Sequence, residues 1–275
     1  MHATHRFPRH RAAQRAFTLV ETLVTTAVVV IVVTMSMAGF DKALKNRRCL
    51  KETAAAHKLI IAYLTAATDN DGQWLAGMDG RVKSITLPTG KVLNGHTCNR
   101  FPYRLGAYME YNLDGTLLLK ENSRQIEKST PRGSGMYEYM VSTFPAFGMN
   151  VNFVGGSIDE SNRLEYAEDC ATRAAQTESP LLVFASAGGQ LGNIRVDGFN
   201  ILSPPHLKVA NWIATPWTAK TNPALYGSVD ARHDGIAVCA YTDGSVRSQT
   251  IEELRDMRLW SKNAAAQNDP NYMIP

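Results

Sequence analysis

The sequence has few cysteines: Cys49, Cys98, Cys170 and Cys239, widely spaced and with no C-x-x-C pair. That spacing excludes a zinc ribbon and a dithiol redox motif. An oxidising compartment would allow two disulfides in three connectivities, and buried free thiols are the other reading. Also missing are G-x-S-x-G, H-E-x-x-H and G-x-x-x-x-G-K, so no nucleophile elbow, zinc-protease helix or phosphate loop is encoded. The lone pairs Gly155-Gly156 and Gly188-Gly189 read as turns. No internal repeat and no low-complexity linker breaks the chain. Charge of one sign is lacking too. The net charge is +4, but Arg6, Arg9, Arg11 and Arg15 lie in residues 1–16, which hold no acid. Without them the basic count falls to 25, equal to the acidic count, and no general nucleic-acid footprint is indicated. With 44% apolar and 20% charged residues, the 275-residue chain has ordinary globular composition and room for one large or two small domains.

What the sequence does have is one long apolar run, Phe17 to Phe40. As a helix, 24 residues span about 36 Å at roughly 1.5 Å each, enough for a hydrocarbon core of about 30 Å. Glu21 is the exception inside it. A lone carboxylate there costs about 2.5–3.5 kcal/mol at the bilayer centre and less near the interface, so it needs a partner. No Lys or Arg lies in the run. Cleavage just before Phe17 would supply one, a free α-amino group one helical turn from Glu21.

Arg15-Ala16-Phe17-Thr18-Leu19-Val20-Glu21 resembles the cleavage and methylation signal of type IV prepilins. The resemblance implies a basic leader over 1–16, cut between Ala16 and Phe17 by a prepilin peptidase, with the new amine methylated and Glu21 serving assembly. Ala16 stands where the family usually has Gly. An uncleaved signal anchor is the competing reading. The leader's arginines place it in the cytoplasm and the bulk of the chain outside, in keeping with the positive-inside rule. Lys42, Lys45, Arg47, Arg48 and Lys51 then follow the run on its outer side.

Beyond Phe40 the helix is expected to continue. Leu50, Ala54, His57, Ile61 and Leu64 recur at spacings of four and three, one face of a helix, on which His57 reads as a packed residue. Asp69-Asn70-Asp71-Gly72 should end it. Those acids read as a solvated helix end, not a calcium loop, because no Glu follows at the required offset. The resemblance extends over Cys49 to Trp74, similar to the second half of the first helix in prepilin-type proteins of planctomycetes and verrucomicrobia. Where many relatives carry a kinking Pro, this chain has Ala38-Gly39.

After Trp74 the runs shorten. Val82 to Val92 reads as a hairpin turning at Pro88-Thr89-Gly90, Tyr103 to Tyr111 as a short helix, and Ser123 to Gly135 as a polar loop. Glu160 to Gln176 reads as partly helical. Leu181 to Ala185, apolar throughout, predicts a buried central strand. Ile236 to Tyr241 predicts a strand, Asp243-Gly244 a type I′ turn, and Val246 the return strand. Thr250-Ile251-Glu252-Glu253 has the spacing of a capping box, opening a helix through about Trp260.

His233 followed nine residues on by Asp243-Gly244 resembles the H-x9-DG signature at the C-terminal end of many such prepilin-type proteins. Ser245 stands where relatives often have a second His, so a histidine metal pair is missing. A catalytic reading would use His233 as base, oriented by Asp234 or Asp243. With no nucleophile encoded, His233, Asp234, Asp243 and Gly244 read as structural, with no cofactor and no metal. The expected fold is α+β: leader 1–16, transmembrane segment 17–40, outer helix half 41–72, and a globular domain 73–275 built on an antiparallel sheet. The expected function is a pseudopilin-like, non-enzymatic subunit in the inner membrane, partnered with prepilin peptidase and with like or related subunits of a type II secretion-like or type IV pilus-like filament. A monomeric anchored binding module and an anchored hydrolase using His233 and Asp243 are the alternatives.

Overall fold

The computed structural model describes residues 19–275, with most side chains before residue 44 outside that description. Ala16, Phe17 and the side chain of Glu21 therefore lie outside the described residues, as does the leader. Among the described residues no helix is long and apolar enough to cross a membrane.

Helix α1 runs Leu19–Asp69 and is assigned as helix through Gly39. It ends where expected. Asp71 and Gly72 take positive φ of 51° and 75°, and the Gly72 N–H reaches back to the Ala67 carbonyl at 2.8 Å, a C-terminal cap. The chain divides into two compact units after Asn46, so residues 47–69 of α1 belong with the rest of the fold.

The face that α1 buries is not the one its large aliphatics mark. Ala55, Ala56, Leu59, Ile60, Ala62, Tyr63, Ala66 and Ala67 are buried. Leu50 and Ile61 are 69% and 61% exposed, and Ala54 and His57 are exposed with them. Leu64 is intermediate. The expected inward stripe is thus the outward one. Alanines bring the helix close to what it covers, so an Ala-rich face can pack as densely as a Leu-rich one. Tyr63 anchors that face, stacked on Trp74 at 5.3 Å and edge-on to Phe184 at 5.4 Å.

The elements that build the central sheet and its surroundings include β1 (Ser84–Thr86), β2 (Val92–Asn94), α2 (Phe101–Gly106), α3 (Lys120–Ser129), α4 (Tyr137–Thr143), β3 (Phe147–Asn150), β4 (Leu182–Ser186), β5 (Ile201–Leu202), β6 (Ile236–Tyr241), β7 (Val246–Thr250) and α5 (Lys262–Gln267). The fold is mixed α+β. Five strands form one sheet in the order β7-β6-β4-β3-β5. It is antiparallel except at its end, where β3 and β5 run parallel. Strand β4 is central and buried at every residue, as its apolar run requires. Along β6 the side chains alternate. Val238 and Ala240 join the core that holds α1, while Ala237, Cys239 and Tyr241 join a second core with Trp212, Tyr226, Leu254 and Trp260. The sheet is therefore a middle layer.

The β1/β2 hairpin turns at Pro88-Thr89-Gly90, with Gly90 at φ +83°. Residues 120–129 are helical, not a loop: Asn122 caps α3 by accepting from the Leu119 N–H at 2.7 Å, and Ile126 alone anchors it in the core. Glu160 to Gln176 holds only a short 3₁₀ turn, Ala174–Gln176. The Thr250–Glu253 capping box forms, with Thr250 N–H to Glu253 Oε2 at 2.7 Å and Glu253 N–H to Thr250 Oγ1 at 3.2 Å. It opens two 3₁₀ turns, 253–255 and 257–259, and no longer helix. All four cysteines are free thiols.

Candidate functional site

The turn chemistry around His233 sits nine residues earlier than its sequence signature suggests. Asp234 and Gly235 both have positive φ, 55° and 90°, and the Ile236 N–H meets the His233 carbonyl at 3.2 Å. That is the type I′ turn. Asp243-Gly244 closes a three-residue loop instead. Only Gly244 has positive φ (+82°), the Gly244 N–H reaches the Tyr241 carbonyl at 2.9 Å, and the Tyr241 N–H reaches Ser245 at 3.0 Å. This is a tight turn followed by a glycine bulge. Asp243 accepts from the Ser245 N–H at 2.9 Å and from its hydroxyl at 2.7 Å, and faces Arg247 at 3.4 Å. Burial pulls the Asp243 carboxyl up, but these bonds and the Arg247 charge outweigh it and hold it below its ordinary value.

His233 and Asp243 flank opposite ends of β6 and are not brought together. His233 instead meets Glu52 on α1, Nε2 to Oε2 at 2.9 Å. Glu52 is 3% exposed and accepts from three side chains. Arg232 donates from Nη2 to Oε1 at 2.8 Å and from Nε to Oε2 at 3.1 Å. The Ser186 hydroxyl, at the end of β4, donates to Oε1 at 2.5 Å and accepts from the Val238 N–H at 2.9 Å. The rest of the Arg232 fork is spent on the carbonyls of Ala187 (2.8 Å) and Ala146 (2.9 Å). Behind it, buried Asp230 receives Arg195 at 2.6 Å and stands 3.8 Å from Arg232.

Two carboxylates, Glu52 and Asp230, face two guanidiniums, Arg232 and Arg195. Burial works against the Glu52 charge, but Arg232 and the hydrogen bonds from His233 and Arg232 outweigh it and bring its carboxyl from 4.5 to about 2. Burial pulls Arg232 down, and Glu52 and Asp230 more than reverse that. A buried pair of this kind is justified only when the remaining polar atoms are also satisfied, as the Arg232 donors are, while Asp230 Oδ2 beside them has no hydrogen-bond partner. The cluster joins the helix, the central strand and the hairpin in one network. The Ser186 hydroxyl gives its proton to Glu52, not to His233, and is fully buried.

Glu52, Arg232 and Ser186 are functional neighbours that the motif reading missed. One signal was there: Glu52 is the single acid in residues 42–68, placed three and four residues before buried Ala55 and Ala56. Among the described residues no group of three or more His, Cys, Asp or Glu could hold a metal ion. No family model, curated protein or solved structure matches the chain.

Proposed function

We propose that the chain is a pseudopilin-like subunit: cut before Phe17 by a prepilin peptidase, held in the inner membrane by residues 17–40, and assembled with like or related subunits into a type II secretion-like or type IV pilus-like filament. The observation that carries this reading is the outward face of α1. Leu50 and Ile61 stand 69% and 61% exposed on a stretch of α1 that packs its other face, Ala55 to Ala67, into the core. An exposed apolar ridge on a long helix serves neighbours that the isolated chain lacks. The signal Phe17-Thr18-Leu19-Val20-Glu21 supports the same reading, since a plain anchor gains nothing from a carboxylate in its span. On this reading the Glu52–Arg232–His233 cluster fixes the sheet domain to the helix that enters the filament.

Intact-mass analysis of membrane-extracted protein tests the processing: the mature chain should begin at Phe17, and one beginning at Met1 or His2 refutes it. Crosslinking between subunits tests assembly. Glu21→Gln should insert in the membrane as well as wild type and crosslink several-fold less. Unchanged crosslinking removes the physical basis for the filament and leaves a monomeric anchor.

A further inference from the structure

The β1/β2 hairpin leaves through Asn94-Gly95, the sole Asn-Gly pair in the sequence. Both residues are exposed. Gly95 sits at φ 58° and ψ −141°, which glycine takes without strain, and a Cβ built there would meet nothing within 4 Å. Its carbonyl is occupied. It accepts from the N–H groups of Cys98 and Asn99, both at 3.1 Å, and so opens the single helical turn His96–Asn99 that puts Cys98 in the core. The Gly95 N–H, by contrast, has no acceptor among the described residues, and the Asn94 side-chain amide makes no hydrogen bond there either.

A free backbone nitrogen at this place has a target beside it, the side-chain carbonyl carbon of the preceding Asn. The two groups are held in one chain, which gives their encounter a high effective concentration. Glycine has no Cβ to crowd the approach. Asn122-Ser123, whose second residue is also small, shows the opposite case. Asn122 is fully buried in α3. Its Oδ1 accepts from the Leu119 N–H at 2.7 Å, and its Nδ2 donates to the carbonyls of Leu117 (3.3 Å) and Phe144 (3.1 Å). The Ser123 N–H is committed to the Leu119 carbonyl at 2.9 Å. Attack at 122–123 would break all of these bonds, whereas at 94–95 there is none to give up.

We propose that Asn94 is a site of spontaneous deamidation, and that its isoaspartyl product frees the turn that carries Cys98. The Gly95 nitrogen bonds to Asn94 Cγ and gives its proton to water. The Cγ–Nδ2 bond breaks and ammonia leaves, closing a cyclic imide. Water then opens the ring. Opening at Cγ gives aspartate on an unchanged main chain. Opening at the main-chain carbonyl leaves Gly95 joined through Cγ, an isoaspartate, with one more carbon in the main chain. Nothing is oxidised or reduced. Both products add a negative charge, but only the isoaspartate moves the Gly95 carbonyl away from Cys98 and Asn99.

The test ages the full chain, solubilised in detergent at physiological temperature and pH, beside a sample unfolded in urea. Peptide mass spectrometry reads acid in place of amide at each Asn, and electron-transfer fragmentation separates aspartate from isoaspartate. Folding should slow Asn94 by no more than about five-fold and Asn122 by about ten-fold or more. A greater slowing at Asn94, or another Asn converting ahead of it in the folded chain, overturns the site. The aged folded chain is then treated with a thiol reagent. Cys98 should react about ten-fold faster or more in isoaspartyl molecules than in fresh wild type. It should stay slow in Asn94→Asp, which has the charge without the longer main chain, and in aged Asn94→Ser, which has no amide to lose. Slow Cys98 in isoaspartyl molecules, or fast Cys98 in either variant, overturns the release of the turn.

Discussion

At the scale of single residues, Glu52 decides most. Removing one member of a buried pair strands the other, so Glu52→Ala should cost about 3–5 kcal/mol in urea unfolding of the detergent-solubilised chain. The pH dependence has a definite sign. The folded-state carboxyl sits at about 2, below its ordinary 4.5. Its contribution is therefore fully present above pH 4.5 and is lost as pH falls from there toward 2, on the order of 3 kcal/mol in all. Glu52→Gln should flatten that part of the stability profile, and an unchanged slope below pH 4.5 would show that other carboxylates dominate it. The partner of His233 was not legible in the sequence. The partner sits 181 residues away in sequence, and nothing local marks it. Glycine told more about the turns than the motif did. Of the two Asp-Gly pairs that flank β6, 234–235 and 243–244, only the first has positive φ at both residues. The dipeptide alone cannot separate them, because the loop length that selects the turn is set by the register of β6 on β7.

At the scale of elements, the two faces of α1 should respond oppositely. Tyr63→Ala, on the covered face, should cost about 3–5 kcal/mol. Leu50→Ser with Ile61→Ser, on the open face, should change stability by less than about 0.5 kcal/mol each. The same double variant should lower crosslinking between subunits, and a variant that unfolds instead would put that ridge inside the core. Helix existence and its end at Asp69-Asn70-Asp71-Gly72 were readable from sequence, as were β4 and β6 from their apolar runs. Which face of α1 packs was not, because two stripes with helical spacing compete and the buried one is made mostly of alanine. Helix α3 was hidden for the opposite reason: KENSRQIEKS offers one apolar residue, Ile126, and its cap comes from Asn122 at the third position.

At the scale of the whole molecule, the mixed α+β class was readable and the parallel β3/β5 edge was not, since β5 is two residues long. The thiols report on the two cores. Cys98, Cys170 and Cys239 are buried and Cys49 is half-buried, with burial raising the Cys170 thiol to about 12. A thiol reagent at pH 8 should label one cysteine quickly in the native chain and the other three only on global unfolding. Two or more fast thiols would show that a core opens locally. The span between Glu52 and His233 also has a consequence in time. Strand β4 finds β6 only across a further fifty residues, through Ser186 and Val238. At a synthesis rate of roughly 5–20 residues per second, the helix waits on the order of 10–40 s for the segment that completes its cluster. During that interval the central sheet lacks β6, and Glu52 lacks the Arg232 and His233 that complete its cluster. Under the proposed membrane-anchored reading, the chain would cross the membrane before its late-arriving hairpin closes the fold.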